Sequence, residues 1–192
     1  MKFPFAPALA CTLLLSLILL LGACQPAPTQ TRIQGSTMGT YYSIKVADAA
    51  VTDAAKLQAE VDVLLERVND QMSTYRPDSE LSRFNQHKGN TPLVVSRDTA
   101  RVVTEAIHIG RESRGALDVT VGPLVNLWGF GPDKRPVKRP TAEQITQARE
   151  RVGIDKLSLT PQGDHFLLGK SIPNLYLDLS TLGEGADRKS VV

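Results

Sequence analysis

The 192-residue chain carries 22 basic and 20 acidic residues, a formal net charge of +2. Setting aside Lys2 in an N-terminal leader and the C-terminal Asp187-Arg188-Lys189 brings that to zero, which leaves no charge-driven case for a nucleic acid or other anionic partner. Both cysteines, Cys11 and Cys24, fall at the N-terminus and neither is expected to keep a free thiol, so disulfide, zinc-thiolate and cysteine-nucleophile chemistries are excluded too.

Residues 1–23 read as a secretory leader: a single positive charge at Lys2, an apolar run from Ala8 to Leu21, and small residues in Leu21-Gly22-Ala23-Cys24. The run is short for a membrane span, which needs about 20 residues. Placing Cys24 directly after the cut resembles a bacterial lipobox, so Cys24 is expected to become the lipid-bearing N-terminus, with residues 24–34 as its tether. The mature protein is then expected on the periplasmic side of a bacterial membrane. Roughly 165 residues remain, enough for one domain or for the first part of a larger one.

Tyr42, Ile44 and Val46 alternate with Tyr41, Ser43 and Lys45, a strand pattern, preceded by Gly35-Ser36-Thr37-Met38-Gly39-Thr40 with Met38 in a glycine-flanked bend. Leu57, Val61, Leu64, Leu65, Val68 and Met72 recur at helical spacing, which predicts a helix over Thr52 to Met72. A turn-rich loop from Ser73 to Glu80 holds Tyr75 and Pro77. A second helix is expected from Asp98 to about Ser113, burying Val102, Val103, Ala106 and Ile109. Gly115 to Gly131, with four glycines and the only tryptophan, Trp128, suits a loop laid over a flat apolar ligand or a buried structural loop. A basic, proline-punctuated connector follows to Pro140, and then Thr141-x-x-Gln144 is a capping box that opens a short helix ending at Gly153. Strands are expected at Lys156 to Thr160 and His165 to Leu168, and a third at Leu177-Asp178-Leu179, which delivers Asp178, Ser180, Thr181 and Glu184 onto a turn bounded by Gly183 and Gly185. Hard oxygens grouped on such a turn suit Mg²⁺ and a phosphorylated ligand, while an ordinary polar strand end is the alternative. His87, His108 and His165 lie in a polar loop, on a helix beside Ile107 and Ile109, and at a strand start, and none is assigned as a general base.

Four stretches together, Gly35 to Thr40, Ser73 to Asn85, Gly115 to Gly131 and Leu177 to Gly185, resemble the ApbE family of FAD:protein FMN transferases, historically called thiamine biosynthesis lipoproteins. The resemblance implies an α+β fold, an ApbE-like flavin transferase domain truncated to its N-terminal part at residues 35–186. It implies FAD as flavin donor, Mg²⁺ at the pyrophosphate, Met38 against the flavin and Tyr75 beside the FAD. Ala116, Leu117 and Asp118 would form a contacting loop, Asp178 and Glu184 would bind FAD, and Thr181 would be a magnesium ligand. A thioether and a phenol suit the polarizable isoalloxazine face, and a threonine oxygen is a hard ligand. Many members place Ala-Lys-Gly where this chain has Gly183-Glu184-Gly185, which changes the charge facing the ligand at Glu184.

The implied reaction is transfer of the FMN half of FAD to a Thr or Ser hydroxyl of a partner flavoprotein, with release of AMP. Implied partners include membrane subunits of sodium-translocating NADH:quinone reductases and Rnf-type complexes. FAD hydrolysis to FMN and AMP, and flavin binding without catalysis, are the alternative readings. Residues 187–192 depart from the family pattern and resemble the in-frame translation of a sequencing-library adapter, so they are expected to be a non-native tail. The chain as written is expected to be inactive and poorly soluble, with an exposed apolar edge at the Asp178 strand.

Overall fold

The computed structural model describes residues 30–47, 53–132 and 138–182. The leader, Cys24 with residues 25–29 of its tether, Glu184 with its flanking glycines, and the 187–192 tail therefore lie outside the described residues, while residues 31–34, expected as tether, instead begin the first strand because they pair with the chain that follows.

Two strands, β1 (Thr31–Thr37) and β2 (Thr40–Val46), form an antiparallel hairpin in register from Thr31 opposite Val46 to Thr37 opposite Thr40. Its two-residue turn is Met38-Gly39, with φ of 50° and 72°, the doubly left-handed turn whose twist matches the strands. The sequence predicts only β2. β1 escapes because Ile33 is its single strong apolar residue, and because Gly35 reads as a bend. Gly35 is instead a packing requirement, since a Cβ there would come within 2.7 Å of the Tyr42 ring lying across it.

The hairpin packs on α1 (Ala54–Met72), which is capped by Asp53, whose Oδ1 accepts from Lys56 N at 2.9 Å. Ile33 meets Val61 and Leu65, with Leu57, Tyr42 and Ile44 around them, and each such side chain contributes about 1.5–3 kcal/mol by burial. The predicted helix thus stands, shortened by two residues at its start. Its fifth-turn Asn69 is buried where the sequence shows no apolar residue, and Asn69 Nδ2 donates to Thr37 Oγ1 at 3.1 Å, pinning the hairpin end.

Past α1 the chain makes a tight corner. Ser79 caps α2 (Glu80–Gln86), its hydroxyl donating to Ser73 O at 2.5 Å and accepting from Ser82 N at 2.9 Å. Seven residues are too few to display a helical period, so this helix is absent from the sequence reading. Then come β3 (Leu93–Val95), three residues long and likewise unread, and α3 (Arg97–Glu112), within one residue of expectation at either end. Glu80 joins the two helix starts: its carboxylate accepts from Ser96 N at 2.9 Å and Ser96 Oγ at 3.1 Å.

The stretch expected as a loop over 115–131 contains a short helix, α4 (Gly122–Leu127), begun by Gly122-Pro123 as a helix start favours. α5 (Ala142–Arg149) has the expected capping box: Thr141 Oγ1 accepts from Gln144 N, and Gln144 Oε1 from Thr141 N at 2.9 Å. The strands β4 (Leu157–Gln162) and β5 (His165–Lys170) run antiparallel, and β3 pairs on the other side of β5 to give the order β3-β5-β4. With helices and two separate antiparallel sheets, the architecture is α+β as predicted. The larger core gathers Phe84, Leu81, Val103, Ala106 and Leu168 with Leu175, Leu177 and Leu179.

The Asp178 strand is not formed. Residues 175–179 are extended and alternate as expected, with Leu175, Leu177 and Leu179 fully buried and Tyr176 and Asp178 half-buried. Among the described residues they join no ladder; the Asn85 side chain bonds the Leu177 backbone there, and by residues 180–182 the chain has entered a helical turn. The exposed apolar edge expected there is accordingly absent, since all three leucines face the core.

Candidate functional site

Three of the four sequence stretches meet at one corner. Asn85, the penultimate residue of α2, donates from Nδ2 to Leu177 O and accepts at Oδ1 from Leu177 N, both at 2.8 Å. The next amide, Asp178 N, donates the other way, to Val119 O at 2.8 Å. Successive amides of an extended chain point to opposite sides, so residues 177 and 178 lie between α2 on one flank and the 115–121 segment on the other.

Asp118 and Asp178 thereby sit on adjacent backbone segments, and each turns the chain in the same way. Asp118 Oδ1 accepts from Thr120 N at 2.8 Å and Thr120 Oγ1 at 2.6 Å. Asp178 Oδ1 accepts from Ser180 N at 3.0 Å, starting the helical turn that carries Thr181. Carboxylates in these local turns hold their backbone in one course and keep a second oxygen for another partner. Fully buried Thr120 extends the anchorage, accepting from Gly153 N at 2.7 Å. Ala116 is exposed, Leu117 half-buried, and Thr181 exposed on its turn.

The remaining predicted residues lie around the end of α1. Met38 occupies the tip of the hairpin that Asn69 fixes to α1, with 38% of its surface exposed. Tyr75 follows the end of the same helix, its amide donating to Ser73 Oγ at 3.1 Å, and the residue is 69% exposed. Trp128 and Phe130 are also exposed, at the end of α4.

A separate cleft of about 530 Å³ lies between β1 and α1, lined by Gln34, Ser36, Thr37, Gln58, Asp62 and Glu66 among others. Beside it the Tyr42 hydroxyl donates to Asp62 Oδ1 at 2.5 Å and accepts from Gln58 Nε2. Desolvation first, and the Asp62 carboxylate second, raise the Tyr42 pKa above its ordinary value, so this phenol stays neutral. The cleft includes none of the predicted site residues.

Among the described residues no group of three His, Cys, Asp or Glu side chains gathers to hold a metal ion. The oxygens that are present, the Asp178 carboxylate and the Thr181 hydroxyl, are hard donors of the kind Mg²⁺ takes. Asn85, Thr120 and Lys170 build the corner without having been singled out by the sequence. Asn85 closes the second resemblance stretch and was signalled only by that, whereas Thr120 and Lys170 carry no pattern of their own.

The molecule is an α+β domain in which the Asp118 and Asp178 turns lie side by side, with Met38, Tyr75, Trp128 and Phe130 exposed on other turns. The chain belongs to the ApbE family, whose model matches residues 38–188. A FAD:protein FMN transferase of Vibrio cholerae is 52% identical over 172 residues, covering 89% of this chain and 50% of that protein. One from Salmonella typhimurium is 41% identical over 192 residues, covering 96% of this chain and 54% of the relative. Among solved structures, the flavin transferase ApbE from Vibrio cholerae superposes with a TM-score of 0.79 at 52% identity over 86% of this chain and 52% of that one. The apo flavinyl transferase ApbE of Pseudomonas stutzeri gives 0.77 at 32% identity, over 88% and 55%. The chain thus spans about half the length of the relatives it matches.

Proposed function

We propose that this chain carries the FAD-binding part of a FAD:protein FMN transferase, which moves FMN from FAD to a Thr or Ser hydroxyl of a partner flavoprotein. The acceptor oxygen forms a bond to the FMN phosphorus, the pyrophosphate P–O bond breaks, AMP leaves, and the hydroxyl proton is released. The observation that carries this reading is the union of the Asp118 and Asp178 turns through the Asp178 N to Val119 O hydrogen bond. It is supported by relatives named for that transfer, 52% identical in one case.

In this reading the exposed Met38 and Tyr75 cover the isoalloxazine ring, excluding water from its faces. The 116–118 segment presents backbone groups and the Asp118 carboxylate to the polar edges of FAD, and Asp178 accepts from its hydroxyl or ring N–H groups. Glu184, outside the described residues, is a further FAD contact. Thr181, with the oxygens of the ligand, is the position for Mg²⁺, which when bound supplies charge neutralisation at the pyrophosphate. Lipidation at Cys24 places the enzyme on the periplasmic face of the membrane, alongside acceptors such as subunits of NADH:quinone reductase or Rnf-type complexes.

Titrating FAD into the chain tests the site. Asp178→Ala removes an anionic acceptor, a loss of about 1.5–3 kcal/mol, so FAD affinity should fall roughly 10- to 150-fold. Affinity equal to that of the parent would remove Asp178 from the site. For the anchor, Cys24→Ala should abolish fatty-acid labelling in cells, and labelling at the parental level would rule lipidation there out.

A further inference from the structure

The joint between α2 and the 175–178 segment is made by side chains where a sheet would use a ladder. Asn85 gives and takes one hydrogen bond with the same residue, Leu177, both at 2.8 Å, across 92 positions of sequence. That double exchange is what a hydrogen-bonded partner residue on an antiparallel strand would provide. One residue before Asn85, the end of α2 is held again. Lys170, 4% exposed, donates from Nζ to Phe84 O at 2.9 Å and to Leu175 O at 3.5 Å, with the ammonium 4.7 Å from the Phe84 ring centroid. None of the ion pairs formed among the described residues involves this lysine. Its burial thus serves two backbone carbonyls that belong to the two segments being joined.

The segment so held is the one that positions the site. Leu177 is fixed by Asn85, Asp178 N by Val119 O, and Asp178 Oδ1 then sets Ser180 N and the turn bearing Thr181. The Asn85 amide is the anchor that holds both the N–H and the C=O of Leu177, alongside the Val119 and Lys170 bonds and the buried leucines, and sliding or rotation there would redirect Asp178. We propose that Asn85 is a positioning residue of the flavin site, acting through the Leu177 backbone to set Asp178 and Thr181, with Lys170 holding the helix end from which it reaches. The role rests on the FAD-binding reading above.

The test is a double-mutant cycle in the 192-residue chain, using Asn85→Ala, Asp178→Asn and the pair, with FAD affinity and amide hydrogen exchange as readouts. Asn85→Ala should weaken FAD binding about tenfold, the scale of one hydrogen bond, and speed exchange of the Leu177 amide at least as much. If Asn85 works through Asp178 and Thr181, the double variant loses clearly less FAD affinity than the sum of the two single losses. Additive losses, or parental affinity in Asn85→Ala, would overturn the positioning role, and unchanged exchange at Leu177 would overturn the clamp itself. The near-isosteric Asn85→Leu, which removes both bonds to Leu177 while keeping the side-chain volume, replaces Asn85→Ala in the same cycle should the alanine variant not fold. A parent chain that takes up no FAD sinks the FAD reading together with Asn85's part in it. FAD uptake by the parent with an additive cycle removes only Asn85.

Discussion

Met38 holds a φ of 50°, in the left-handed region where a non-glycine residue is strained, at the tip of a hairpin whose turn chemistry favours Asn-Gly or Gly-Gly. Under the proposed function, a methionine kept at that cost, with its side chain partly in water, is there to contact the flavin. Met38→Gly relieves the strain and adds a comparable entropy to the unfolded chain, so thermal stability should change by less than about 1 kcal/mol. FAD affinity should nevertheless drop. A variant that binds FAD as the parent does would return Met38 to turn geometry alone. Thr181→Ala should likewise leave the fold intact, since the exposed hydroxyl supports no packing, while raising the Mg²⁺ concentration needed for half-maximal FAD binding. An unchanged Mg²⁺ requirement would exclude Thr181 as a ligand. At this scale the sequence names the residue types, and the structure places Met38, Tyr75, Asp118, Asp178 and Thr181 on turns without testing what they bind. The sequence could not show that Asp118 and Asp178 each spend one oxygen on a neighbouring backbone amide, because such bonds depend on how the turns close.

Among the elements, the periodic ones were legible and the short ones were not. α1 and α3 each present enough turns for an apolar stripe, and β2 enough residues for alternation. β1, α2, β3 and α4 escaped, being brief or carried by a single apolar side chain. The 175–179 segment shows a sharper limit. Its alternation reports burial correctly, yet alternation cannot say whether the partner is a strand or the Asn85 amide. The hairpin offers a direct check of its packing logic. Gly35→Val would drive side-chain atoms into the Tyr42 ring, which stands 2.7 Å from an ideal Cβ, and should cost about 1–3 kcal/mol of stability by thermal unfolding. No loss would mean that Tyr42 is free to move off the strand. Ser79→Ala removes the cap of α2 and a hydrogen bond to Ser73 O, for a loss of about 1 kcal/mol by denaturant titration, and a smaller effect would place the corner's rigidity elsewhere.

In the molecule as a whole, the larger core and the candidate site share one structural element, the leucine-lined segment that ends in Asp178. Lys170 lies where the two meet. Burial, and secondarily the charge of Lys88, lower its pKa below the ordinary lysine value of 10.5. Below the folded-state pKa the ammonium is charged in both states and its desolvation penalty is fully present. As pH rises towards 10.5 the folded protein releases its proton first, so Lys170's contribution to stability increases through that window. Relative to Lys170→Met, the parent should therefore gain thermal stability as pH rises towards 10.5, and a difference independent of pH would contradict the lowered pKa.

The central claim is that this chain supplies the FAD-binding half of a flavin transferase, and covalent flavin on an acceptor protein reports it most directly. Joined after Leu182 to the remaining half of the Vibrio cholerae flavin transferase, and given FAD, Mg²⁺ and an acceptor with a target threonine, the chain should leave a fluorescent flavin band on the acceptor in a denaturing gel. The same graft carrying Asp178→Ala should leave a much weaker one. A folded graft that yields no covalent flavin while the intact Vibrio enzyme does, whether it releases free FMN or retains FAD unchanged, would contradict the account.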